Sequence, residues 1–102
     1  MPIQDDVNRK FSKENVDKSP DAPGVYELSE DGAVIYMGMS QTSIRSRLQD
    51  HLGGAGGPCT KKATTYKRET MKAAKAADYE QELLAEYKTA HGGPPKCNEN
   101  AS

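Results

Sequence analysis

Glu80 stands where a carboxylate is costly. It lies within an apolar stripe of Ala73, Ala76, Ala77, Leu83, Leu84 and Tyr87, three and four residues ahead of the two leucines. A carboxylate in such a stripe needs a partner or a bound cation, unless it escapes at the edge to water or a lysine. Arg47 and His51 stand one turn apart beside a second stripe, Ile44, Leu48 and Leu52. An arginine beside a stripe can simply pack its stem and keep its head wet. Its planar fork also clamps oxyanions. Imidazole titrates closer to neutrality than any other side chain, which suits it to proton transfer. Tyr26 and Tyr36 occupy two short apolar runs, each two residues from a glycine, Gly24 and Gly38. Each residue alone has a plain structural reading: core tyrosines, a surface histidine, a solvated arginine. Together they are the group types that bind a cation, hold an oxyanion and move a proton.

Such side chains need rigid elements to bring them together. Residues 24–28 and 33–37 read as strands, because Val25, Tyr26, Val34, Ile35 and Tyr36 all favour extended backbone. "SEDG" between them is a turn signal. A three-residue loop, Glu30 to Gly32, places Gly32 where positive φ is needed and sets the two tyrosines opposite each other on one face. A two- or four-residue loop would put them on opposite faces. Both faces of the hairpin are largely apolar, so helices are expected on both.

The segment 41–52, "QTSIRSRLQDHL", reads as a helix capped by Ser40 or Thr42 and stopped by Gly53 and Gly54. Residues 61–70, centred on Thr64, Thr65 and Tyr66, are a candidate third strand. "MKAAKAADYEQELLAEYKTAH" is rich in strong helix formers and ends at "GGPP". Ahead of the hairpin, residues 1–21 read as a polar extension holding one helical turn capped by Ser12. Residues 99–102 read as a tail. "GGAGGPC" is a loop; it follows a helix and lacks the spacing of a phosphate-binding P-loop.

The bulk composition excludes several classes. The chain has 102 residues, enough for one domain. No apolar run approaches the ~18 residues of a membrane span. Net charge is −1, so no basic footprint exists in the total, although Lys61, Lys62, Lys67 and Arg68 cluster locally. Cys59 and Cys97 lie far apart, without paired metal-ligand spacing. One disulfide is open to them. With no secretory signal read, reduced thiols and a cytoplasmic location are the expectation.

The order of the polar residues resembles the GIY-YIG nuclease family. "GVY" at 24–26 and "YMG" at 36–38 match its two tyrosine motifs. "IRSRLQDHL" resembles the helix that carries the family's arginine, with Arg47 and then His51 four residues on. "EQELLAEY" resembles the metal-binding helix, and "PPKCN" the terminal Pro-x-x-Asn element. The resemblance covers roughly residues 22–98. Arg45 is a second candidate for the arginine, and Met39 stands where many members carry lysine.

The resemblance implies an α+β fold, a small three-stranded antiparallel sheet flanked by the Arg47 and Glu80 helices. It implies a metal-dependent endonuclease acting on DNA, with RNA not excluded. Glu80 would hold Mg²⁺ or Mn²⁺, Arg47 would clamp the phosphate, and Tyr26 would take the proton of the attacking water. Tyr36 would position water or phosphate, and His51 would assist or replace Tyr26. Gly24, Gly38, Arg45 and Asn98 would support the site. With no second DNA-binding domain in the sequence, specificity would be weak or directed at DNA structure, or a second copy or partner protein would supply recognition. Two other readings remain open: an inactive nucleic-acid-binding module of the same fold, and a protein-interaction adaptor.

Overall fold

The structure, a computed structural model, describes residues 8–55 and 57–100. Its centre is an antiparallel sheet built from β1 (Arg9–Lys10), β2 (Gly24–Glu30), β3 (Ala33–Ser40) and β4 (Thr65–Thr70). The strand order is β1-β4-β2-β3, so the sheet has four strands where the sequence suggests three. The added strand is short and polar, and only its pairing of Arg9 with Tyr66 and Lys10 with Thr65 defines it. Two-residue strands carry no periodicity to read.

The β2–β3 turn corrects the expected loop. Asp31 and Gly32 both have positive φ, 50° and 90°, and Glu30 pairs with Ala33. This is the two-residue Asp-Gly turn, whose twist matches that of the strands it joins. On its own it would place Tyr26 and Tyr36 on opposite faces. A register shift at Leu28/Ser29 reverses that: Leu28 pairs with Tyr36 and Ser29 with Val34, leaving Ile35 as an extra residue on β3. The bulge restores parity. Tyr26 therefore faces Gly38, and Tyr36 lies diagonally beside it on the same face.

That face carries the larger core. Phe11, Val16, Tyr26, Leu28, Ile35, Ile44, Leu48 and Tyr66 pack there, under α1 (Lys13–Asp17) and α2 (Ile44–Gly53). The described part of the polar segment 1–21 thus supplies a strand, a helix and core side chains. Ser12 caps α1 through the Asn15 N–H, as expected. The Ser19 hydroxyl lies 2.9 Å from the Tyr66 hydroxyl. The opposite face holds Val25 and Met37 against Ala76 and Leu83 of α3 (Ala73–His91). Burial of this stripe, and not a cap, fixes the start of α3, because Lys72 makes no capping side-chain bond.

The cap of α2 is Ser43, one position beyond Thr42 and three beyond Ser40; its hydroxyl accepts from the Ser46 N–H. Ser40 instead accepts from the Thr42 and Ser43 N–H groups and so folds the approach to the helix. Gly54, at φ 89°, ends α2 in the left-handed conformation. A short 3₁₀ turn, Thr60–Lys62, follows the glycine loop. The chain closes with α4 (Lys96–Asn100), where the sequence suggests only the approach to a tail; residues 101 and 102 lie outside the described part. The expectation of reduced thiols is corrected too, since Cys59 and Cys97 form a disulfide that ties the loop before the 3₁₀ turn to α4. Among the described residues, no helix is long and apolar enough to cross a membrane.

Candidate active site

Tyr26 is completely buried. The strand pairing puts its ring over Gly38, where a Cβ would approach the phenol carbon and hydroxyl of Tyr26 to 2.6 Å and the ring of Tyr36 to 2.7 Å. The glycine of "YMG" is therefore the space into which both tyrosines pack. The two ring centroids are 6.1 Å apart. Gly24 is filled differently. A Cβ there would collide with the Glu69 carbonyl oxygen of β4 and approach Ile44 Cδ1 to 2.6 Å, so it serves the packing of α2 on the sheet.

His51 comes to this pair from the last turn of α2. Its ring lies 5.5 Å from Tyr26 and 4.9 Å from Tyr36, centroid to centroid. Nε2 is 2.8 Å from the Tyr26 hydroxyl, and Nδ1 is 3.0 Å from the Thr60 hydroxyl. Only 2% of His51 is exposed, so its spacing as a surface residue on the helix border is overridden by tertiary packing. Burial, and then the charge of Arg47, push its pKa down to about 4. It is neutral at pH 7.

Arg47, one turn earlier on α2, is more exposed and lies 3.5 Å from Asp50. Its charge also acts on the Tyr26 phenol. Burial raises the Tyr26 pKa above its ordinary value; Tyr36 raises it further, while Arg47 opposes the rise. Arg45 is turned elsewhere, and its Nε donates to the Ser19 carbonyl at 2.8 Å. Of the two candidate arginines, Arg47 is the one that joins the tyrosines.

Glu80 is half-buried on α3. Burial alone raises its pKa, and its charge acts on Tyr26. Among the described residues it makes no hydrogen bond or ion pair. The lysine at the stripe's edge, one of the plain readings, is thus not its partner. A half-buried carboxylate left without a partner among the described residues, with its charge reaching a buried phenol, fits a cation site. Among the described residues, no three histidine, cysteine or acidic side chains gather to form a ligand cage. A Mg²⁺ ion at Glu80 would need water and substrate oxygens for its other positions, which is ordinary for that ion.

Asn98 lies apart from this group. Its Nδ2 donates to the Met37 carbonyl, and its Oδ1 accepts from the Met37 N–H, both at 2.9 Å. Met37 lies on the outer edge of the sheet, so Asn98 closes that edge as a neighbouring strand would. It holds the backbone between Tyr36 and Gly38. Thr60 has no counterpart among the residues singled out from sequence. A threonine after a glycine loop carries no signal; only the fold places it against His51.

A small antiparallel sheet with two tyrosines over a glycine, an arginine helix on their face and an acidic helix behind is the GIY-YIG fold. The GIY-YIG N-terminal endonuclease domain of UvrC from Thermotoga maritima, in a point mutant bound to its catalytic divalent cation, superposes with a TM-score of 0.68. Identity is 22%, over 83% of this chain and 91% of that one. The magnesium-bound form of the same domain gives 0.65, at 22% identity over 83% and 92%. The chain belongs to the family described as "Domain of unknown function (DUF7508)", whose profile matches residues 1–90. No match is found among curated proteins.

Proposed function

We propose that this protein is a metal-dependent endonuclease that hydrolyses phosphodiester bonds in DNA, with weak sequence preference or a preference for DNA structure. The observation that carries this reading is the convergence of Tyr26, Tyr36, Arg47 and His51 on one side of the hairpin, with a Glu80 that is unpartnered among the described residues and whose charge reaches Tyr26. A divalent cation at Glu80 would stabilise charge on the leaving 3′ oxygen.

The chain's own groups do the rest. Arg47 clamps the non-bridging phosphate oxygens. Tyr26 accepts a proton from the attacking water while its own proton passes to His51 Nε2. The hydroxide forms a bond to phosphorus, and the bond from phosphorus to the leaving oxygen breaks. Tyr36, half-buried at the rim, orients the phosphate or the water. Recognition of the DNA comes from a second copy or a partner protein, because the chain's net charge of −1 offers little phosphate affinity.

Nicking of supercoiled plasmid with Mg²⁺ or Mn²⁺ tests the proposal, run beside Arg47→Ala and Glu80→Gln with folding checked by melting. Metal-dependent nicking that disappears in both folded variants supports it. Activity equal in all three proteins overturns it. One observation favours an inactive DNA-binding module instead: the Tyr26 phenol has no exposed surface. DNA binding at low salt without nicking, under any metal, is the outcome that module predicts.

A further inference from the structure

Thr60 is 1% exposed and sits between Cys59, held by its disulfide, and the first turn after the glycine loop. Its hydroxyl has two neighbours, His51 Nδ1 at 3.0 Å and the Gly57 carbonyl at 3.5 Å. A carbonyl only accepts, so the threonine proton goes to Gly57 and the threonine oxygen accepts from Nδ1–H. At the other end of the chain of bonds, Arg47 is only a donor. Its positive charge faces the Tyr26 oxygen and repels the phenol proton, which points instead at His51 Nε2, 2.8 Å away. Both ends favour one direction: Tyr26 to His51, His51 to Thr60, Thr60 to Gly57.

We infer that Thr60 is a positioning residue that fixes His51 in the Nδ1–H tautomer, leaving Nε2 bare to receive the Tyr26 proton. Its catalytic consequence rests on the nuclease reading; the tautomer itself does not. A neutral imidazole with the other tautomer would present Nε2–H to Tyr26 and could take no proton from it. The disulfide matters here because it anchors the residue next to Thr60 to α4 and so helps hold the hydroxyl against Nδ1.

Nitrogen-15 NMR of the imidazole in the intact, oxidised chain reads the tautomer directly. The wild type and Thr60→Ser are expected to show a protonated Nδ1 and a bare Nε2. Thr60→Val is expected to shift to Nε2–H or to a mixture. Plasmid nicking is then expected to fall roughly tenfold in kcat for Thr60→Val with KM unchanged, and to recover in Thr60→Ser. Nε2–H in the wild type, or an unchanged tautomer in a folded Thr60→Val, overturns the assignment. A tautomer that follows Thr60 in a protein that nicks no DNA upholds the positioning role and refutes the nuclease reading instead.

Discussion

Tyr26 lies directly across the hairpin from Gly38, and its hydroxyl would come within 2.6 Å of any Cβ placed there. The glycine is a steric requirement of the tyrosine pair. Gly38→Ala is expected to cost about 1–3 kcal/mol, as overpacking of a filled core does. The loss would show as a lower urea midpoint with an unchanged slope. A variant as stable as the wild type would mean that the rings move aside freely.

His51 makes stability depend on pH. Unfolded, its imidazole titrates near ~6.5; folded, at about 4. The unfolded chain therefore binds more protons between these values. The contribution is fully present above ~6.5 and is lost as pH falls to about 4, amounting to about 3 kcal/mol at most. Urea midpoints from pH 7 to 4 should fall in the wild type and fall less in His51→Gln. Parallel curves would show that another group titrates there.

Glu80 sets function against stability. Its carboxylate is half-buried without a partner among the described residues, so Glu80→Gln removes a desolvation cost. The variant is expected to be more stable by roughly 0.5–1 kcal/mol in the absence of metal. Mg²⁺ should raise the melting temperature of the wild type and leave the variant unmoved. A destabilised variant would point to a hidden structural role for Glu80.

The Cys59–Cys97 disulfide spans a sequence separation of 38. Loop-closure entropy assigns about 4 kcal/mol to a crosslink of that length. Reduction with dithiothreitol should lower stability by an amount of that order. Cys59→Ser with Cys97→Ser should be insensitive to the reductant. Equal stability with and without reductant in the wild type would mean that the bond constrains little.

Asn98 gives a stability change without a change at the metal. Asn98→Ala removes both hydrogen bonds to Met37 and should cost about 1–3 kcal/mol. The Mg²⁺ dependence of melting should persist in the variant. Loss of that dependence would bring Asn98 into the metal site after all.

The sequence by itself determined the elements and their polar cargo. "SEDG" marks a turn, though not its length, Gly53 and Gly54 stop one helix, and alanine-rich periodicity writes the other. These signals are local, because backbone φ and helical period act over a few residues. Tyr26, Tyr36, Arg47, His51 and Glu80 were legible as types in an order. The way they meet was not. The tyrosines share a face only because a bulge at Ile35 offsets a two-residue turn, and a one-residue shift in register leaves no mark in composition. His51 reads as a surface residue until Thr60 and Tyr26 close over it. Asn98 reads as a supporting residue, but that it does so through the Met37 backbone is not written in its spacing. The Cys59–Cys97 bond, the β1 pairing and the burial of Phe11 and Val16 join positions far apart in the chain. Contacts of that kind depend on the packed whole, and only the tertiary structure decides them.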